Sequence, residues 1–320
     1  PGSEPRPRTP TPEPRPNPVT DPNPGNPDAP NTAADLEVLI IAKDEALNLP
    51  HSLKALQGWT QRVVVVDSGS TDGSVELAQS LGAEVVHHDW AGYAGQRNWA
   101  LDHMGFSSAW TLILDADETI TPKLRDQIIE LTNQPVDAVP QVAFYVNRLP
   151  HFLGKPIRHC GFFPNWQLRL FKTGAGRYEE RRVHEHLLVT GEKDYLHTPL
   201  LHHDRRPLHH YMAKHNDYST LEAEQQFAEM FGEQSAQRTD HLTPDQKRRR
   251  WLKKTALRRL PVPGFFRFLY MYALKLGFLD GATGFRFCRF IGFYDTLVAM
   301  KLRELIARHQ EQQAAPDGKP

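Results

Sequence analysis

This sequence predicts an α/β fold: a mainly parallel, doubly wound sheet flanked by helices, with a basic aromatic helical extension at its C-terminal end. Three observations carry that prediction. Short apolar runs alternate with amphipathic stretches from Leu36 to Leu114, acidic residues stand at the ends of three of those runs, and Lys and Arg interleave with Phe, Trp and Tyr from Arg248 onward. Repeated βα units of this length imply parallel strands joined by right-handed crossovers.

The elements follow in order. Leu36 to Ala42 is continuously apolar, as a strand buried on both faces requires, and Leu49, Leu53 and Leu56 then share one helical face. Arg62 to Asp67 holds four consecutive valines and reads as a central strand. A helix begins at Val75, capped by one of Ser70, Thr71 or Asp72. Ala83 to His87 is a third strand, Tyr93 to His103 a helix, and Trp110 to Asp115 a fourth strand. Thr121-Pro122 supplies a cap and a first-turn proline for a helix over Leu124 to Thr132. Val142 to Leu149, Trp166 to Phe171 and Arg182 to Val189 read as further strands, Pro207 to Phe231 as a helix, and Phe265 to Arg308 as two helices broken at Asp280 to Gly284.

Residues 1–34 hold 12 of the 26 prolines and almost no large apolar side chains, so they read as a disordered tail, as do residues 309–320. The α/β domain is therefore expected over 35–232 and the basic helical extension over 233–308. The N-terminal stretch lacks an apolar signal-peptide core, and Cys160 and Cys288 resemble neither a disulfide framework nor a zinc site, which fits a reducing cytoplasmic compartment. A formal net charge of zero hides an asymmetry: residues 247–303 carry 14 Lys or Arg against Asp280 and Asp295 alone. No run reaches the length of a membrane span. The interleaved bases and aromatics suit a helix lying in an anionic leaflet, with an ordinary helical core and single-stranded nucleic acid as the weaker alternatives.

In an open parallel sheet, ligands bind beyond the carboxyl ends of the strands. Asp44-Glu45, Asp67 and Asp115-Ala116-Asp117 stand at three such ends and should converge on one crevice. Paired carboxylates there can hold Mg²⁺ or Mn²⁺ and, through the cation, a diphosphate, although an isolated Asp-x-Asp is more often a solvated turn. Neither a Gly-rich dinucleotide fingerprint nor a Gly-Lys-Ser/Thr phosphate loop is present. Arg169 alternates with Leu168 and Leu170 on its strand and so points away from them, toward the cleft or into an ordinary ion pair.

Several motifs in order carry a resemblance. These are Ile40-Ile41-Ala42-Lys43-Asp44-Glu45-Ala46, Val65-Val66-Asp67-Ser68-Gly69-Ser70-Thr71-Asp72, Gln96-Arg97-Asn98, Asp115-Ala116-Asp117-Glu118, Trp166 to Phe171, Val183-His184-Glu185 and Leu200-Leu201-His202. Over Leu36 to Leu305 the chain resembles a family 2 glycosyltransferase of the GT-A fold, in the bacterial branch that includes lipopolysaccharide inner-core glucosyltransferases. The resemblance implies a donor half over 35–120 and an acceptor half over 121–232. It implies that Asp67 meets the uracil or ribose of a UDP-sugar, with Ala42, Lys43 and Glu45 lining the nucleoside pocket. Asp117 would bind the divalent cation, Asp115 would contact the ribose or a metal-bound water, and His202, with His203 as its neighbour, would be a late metal ligand. Gln96, Arg97 and Asn98 would lie near the donor, where a guanidinium suits a diphosphate.

Transfer to a hydroxyl needs a base, and Glu185 is the candidate, with Glu179 and Glu180 as competitors. The function so implied is inverting, metal-dependent transfer of a hexose, from UDP-glucose, onto a lipopolysaccharide-core or other envelope glycolipid, by a protein peripheral to the cytoplasmic face of the inner membrane. A polyprenyl-phosphate sugar transferase and a noncatalytic nucleotide-sugar or nucleic-acid binding module are the rival readings.

Overall fold

The computed structural model describes residues 34–179, 186–231 and 262–314. Strands β1 (Leu36–Ala42), β2 (Arg62–Asp67), β3 (Glu84–His87) and β4 (Trp110–Asp115) form a parallel block in the order β3-β2-β1-β4. Every residue of β1 is buried, because alternate side chains serve two different cores. Val38, Ile40 and Ala42 pack with Leu49 and Leu53 of α1 (Leu49–Lys54), Leu56 just beyond it, and Leu124 and Ile128 of α4 (Pro122–Thr132). Leu39 and Ile41 face the other way, onto Ala94 and Ala100 of α3 (Gly92–His103) and onto Phe171.

The expected cap of α2 (Ser74–Ser80) is corrected by one residue. Gly73, at φ 85°, occupies the cap position, and the Asp72 carboxylate accepts the Ser74 N–H from just outside the helix. Thr121 caps α4 as the sequence predicts, accepting the Leu124 N–H with Pro122 in the first turn.

Past β4 the sheet becomes mixed. The two-residue β5 (Glu118–Thr119) follows directly, and β6 (Ala143–Phe152), β8 (Trp166–Lys172) and β11 (Lys193–His202) extend the order as β4-β8-β6-β11-β5. Strand β8 runs antiparallel to both β4 and β6, whereas β11 is parallel to β6. Short β7 (Lys155–Pro156) pairs with β6, and β9 (Gly176–Tyr178) pairs with β10 (Leu187–Val189) in a separate ribbon. Strand β11 has no clear signature in the sequence: it opens on Lys193-Asp194, contains Pro199, and breaks register between Leu196 and Leu200.

Helix α5 (Leu208–Phe231) packs against the long α7 (Gly281–Ala314), and Ala223, Val298 and Leu302 fill their interface. Lys301 of α7 locks the pair, its Nζ donating to the backbone of Asn216 and to the side chains of Asn216, Ser219 and Thr220 on α5. The predicted helix break lies upstream of its expected place: Gly281 to Gly284 are helical, and the interruption falls before them. Helix α6 (Pro263–Leu269) continues as a π-turn to Leu274, the chain turns at Leu276 with φ 55°, and a 3₁₀ turn over Gly277–Asp280 precedes α7. Gly264 and Gly292 let α6 and α7 touch backbone to backbone, since a Cβ on Gly264 would lie 2.1 Å from the Gly292 carbonyl oxygen. Cys160 and Cys288, 128 residues apart, bring their Sγ atoms to 3.5 Å, both as free thiols.

Candidate active site

The acidic strand ends converge on one region, although their side chains do different work. Ala42 and Asp67 are register partners at the ends of β1 and β2. The Asp67 carboxylate turns into its own loop, accepting the N–H groups of Gly69 and Ser70 and the Ser70 hydroxyl. The following residues stitch two loops together. Asp44 N–H donates to Ser70 Oγ, Glu45 N–H to Ser74 Oγ and Ala46 N–H to Asp72, while the Asp44 carboxylate accepts the Thr71 N–H. Gln96 donates to Ser68 Oγ and to the carbonyls of His88 and Asp89, and Asn98 exchanges two hydrogen bonds with the backbone of Tyr178.

Glu45, Arg97, Asp115, Asp117, Arg169 and His202 instead line one cleft of about 1070 Å³, which Ala42, Lys43, Asp67, Gln96 and Asn98 do not reach. At its floor lies a cluster of guanidinium and carboxylate groups. Asp115 accepts from Arg97 at 2.7 Å and from Arg169 at 2.5 Å, with Arg148 at 3.7 Å. The same Arg169 Nη2 donates to Glu118 at 2.6 Å, and Glu118 also accepts the Asp115 N–H. Burial alone would raise the Asp115 pKa, but the guanidinium groups of Arg169, Arg97 and Arg148 outweigh it and hold the carboxyl far below its ordinary range. Glu118 is fully buried, and that burial pushes its pKa up despite Arg169. The Arg97 guanidinium also sits 5.0 Å from the ring centre of Tyr178.

Next to this cluster, Asp117 Oδ2 lies 3.2 Å from His202 Nε2. Topology makes the pair: β11 runs antiparallel to β5 with His202 opposite Glu118, so the end of β11 arrives beside the Asp-x-Asp loop. Burial works to raise the Asp117 pKa, and His202 overcomes it and lowers the value. His203 N–H donates to the Asp117 carbonyl, while its ring stacks on His151 at 5.1 Å. A carboxylate and an imidazole fit a divalent cation such as Mn²⁺. Both Asp115 oxygens accept from guanidinium groups; among the described residues no three His, Cys, Asp or Glu form a group that could hold a metal.

Three cleft residues escaped the sequence reading. Arg148 completes the guanidinium trio from β6, and Arg206 pairs with both Glu45 at 2.8 Å and Asp204 at 2.8 Å. Burial raises the Glu45 pKa to about 7, against the lowering effect of Asn48 and Arg206. Lys214 lines the cleft from α5. The run Asp204-Arg205-Arg206, directly behind Leu-His-His, was the available signal. The expected base Glu185, its competitor Glu180 and the basic run Arg248 to Lys254 lie outside the described residues. Glu179 is described, and its N–H donates to the His186 carbonyl.

A family model described as Glycosyl transferase family 2 matches residues 37–186. The lipopolysaccharide core biosynthesis glycosyltransferase LpsC of Rhizobium meliloti (strain 1021) is 33% identical over 198 residues, covering 60% of this chain and 71% of that protein. An uncharacterized glycosyltransferase of Rickettsia prowazekii (strain Madrid E), RP128, is 37% identical over 93 residues, 29% of this chain and 31% of its own. Among solved structures, the mannosyltransferase PcManGT from Pyrobaculum calidifontis, in complex with GDP-Man and Mn²⁺, aligns with a TM-score of 0.47 at 17% identity over 85% of this chain and 88% of that one.

Proposed function

This chain belongs to glycosyl transferase family 2 and is a glycosyltransferase, and from that premise we propose that it moves a hexose from UDP-glucose onto a hydroxyl of a lipopolysaccharide-core oligosaccharide, with inversion and with a divalent cation. The observation that carries this reading is the Asp117–His202 pair at 3.2 Å beside the guanidinium groups of Arg97, Arg148 and Arg169 in one cleft. That arrangement suits a diphosphate, which needs both a cation and fixed positive charge. A bound Mg²⁺ or Mn²⁺ would neutralise charge on the departing nucleotide. Asp117 and His202 would hold it, and the diphosphate oxygens would complete its shell. Asp115 serves as the organiser of three guanidinium groups. The lipopolysaccharide relation of LpsC supports the acceptor class.

The chemical step forms a bond between the acceptor oxygen and the anomeric carbon as the bond from that carbon to the phosphate oxygen breaks. The acceptor proton passes to Glu185. His186 and Leu187, the next residues in sequence, line the cleft. Glu185→Gln is expected to lower transfer from UDP-glucose to released core oligosaccharide by about 100-fold or more, the usual contribution of a positioned base, while UDP binding by calorimetry stays unchanged. Turnover that survives in this variant would move the role to Glu179 or Glu180.

A lipid-borne acceptor gives the C-terminal helices a partner, an anionic bilayer surface. Leu274 is 75% exposed and Leu279 56%, and Phe265, Phe266 and Leu276 are exposed beside them. The exposed charges among these residues, Lys275, Arg286 and Arg289, are all basic, while the Asp280 carboxylate is turned inward onto the N–H groups of Arg158 and His159. Apolar side chains rimmed by bases suit a headgroup layer, and no helix among the described residues is long and apolar enough to cross a membrane. The wild-type protein should co-sediment with phosphatidylglycerol vesicles more than with phosphatidylcholine vesicles, and the triple variant Phe265→Ser, Leu274→Ser, Leu279→Ser should lose that binding while keeping its affinity for UDP. Equal sedimentation of variant and wild type would exclude this surface.

A further inference from the structure

On β6, β8 and β11 stands a group of aromatic rings that the donor chemistry does not use. Tyr145 and Tyr195 are register partners across β6 and β11, and their rings stack with centroids 5.0 Å apart at 19°. Trp166, at the start of β8, meets Tyr195 edge to face at 4.9 Å and His197 at 5.4 Å. Mutual contact at these spacings fixes the rings against one another. Yet the group is not sealed in a core: Tyr145 and Trp166 line the cleft, Tyr195 is 40% exposed and His197 is exposed.

We infer that Tyr145, Trp166, Tyr195 and His197 form a carbohydrate-binding platform that holds sugar rings of an oligosaccharide acceptor at a distance from the reacting hydroxyl. This rests on the transferase reading given above. A pyranose ring has an apolar C–H face and a polar hydroxyl rim, so it matches a rigid aromatic strip whose surroundings stay wet. The placement sets the distance. Tyr195 and His202 lie on the same strand, seven residues apart, which at strand rise is roughly 20 Å, shortened by the irregularity at Leu196 to Leu200. Trp166 stands three residues from Arg169 on β8, roughly 10 Å at strand rise, so the platform begins near the guanidinium cluster at Trp166 and extends outward to Tyr195. Binding energy gained there is kept in the ground state and the transition state alike, so it lowers the acceptor KM, an advantage a short acceptor cannot use.

Tyr195→Ala and Trp166→Ala, in the full chain, test this. Binding of core oligosaccharide released from bacterial lipopolysaccharide is read by calorimetry, and transfer from UDP-glucose is read in parallel. Each variant should weaken oligosaccharide binding about tenfold and raise the acceptor KM in step, with kcat and the KM for UDP-glucose unchanged. Tyr195→Phe should restore binding, because the ring and not its hydroxyl makes the contact; Tyr195 is exposed enough for its variants to fold should Trp166→Ala fail to. Undiminished oligosaccharide binding by Tyr195→Ala, or no binding by the wild type, overturns the platform. Absence of transfer from UDP-glucose combined with Tyr195-dependent oligosaccharide binding overturns the proposed donor reaction and leaves the platform standing.

Discussion

Replacing Arg169 with methionine is expected to cost about 3–5 kcal/mol of folding stability, the range for stripping one partner from a buried charge cluster. One guanidinium nitrogen serves both Asp115 and Glu118, and Glu118 has no access to water. Without it, the nearest remaining cation is Arg148, 3.6 Å from Glu118. Denaturant titration of the variant reads the loss, and adding Glu118→Gln should recover part of it by removing the stranded charge. The pH dependence has a definite sign. The Asp115 pKa is depressed in the folded state, so its contribution to stability is present above the ordinary value of 3.8 and is lost as the pH falls below it. In Arg169→Met the onset of that loss stays set by the unfolded carboxyl, but the loss should be smaller and complete at a higher pH, because the first of the guanidinium groups holding the folded carboxyl down is gone.

Asp117→Asn is expected to lower kcat for sugar transfer by about 100- to 1000-fold, the scale of losing one preorganised electrostatic contact to developing charge. Mn²⁺-dependent UDP affinity should fall with it, because an amide oxygen is a far poorer ligand for a hard cation than a carboxylate. The substitution keeps size and shape, so thermal unfolding should change little. Asp115→Asn provides the contrast: it disturbs Arg97 and Arg169 and should weaken UDP binding without abolishing its dependence on Mn²⁺. If Asp117→Asn retains full Mn²⁺-dependent UDP affinity, the assignment of the Asp117–His202 pair to the cation is wrong.

The parallel half of the sheet was legible because periodicity alone dictates it. The unbroken apolar run of β1 and the valines of β2 permit little besides central strands. Asp115 and Asp117 could likewise be placed at the cleft from strand ends, whereas alternation left Arg169 open between the cleft and an ion pair, and it has both. What periodicity does not carry is the direction of a polar side chain once long-range partners compete for it. Gln96 and Asn98 look like donor contacts beside Arg97, but both are claimed by backbone groups, of His88 and Asp89 and of Tyr178 respectively. Arg148 becomes a cleft residue only because β6 and β4 both flank β8, a pairing with no local signature. Strand β11 was hidden by its charged start and by Pro199, although it delivers His202.

Helix α7 has a dual placement with a geometric consequence. Phe287, Ile291 and Tyr294 form part of the cleft wall, while Phe285, Arg289 and Phe293 on the same turns are exposed. The helix is also held to α5 by Lys301 and to α6 at the Gly264–Gly292 contact. A surface that captures the outer side of this helix therefore fixes the height and tilt of the cleft mouth above it. The set of hydroxyls within reach would then be decided by how far a glycan projects from the lipid, a selection by elevation that operates before any sugar is recognised.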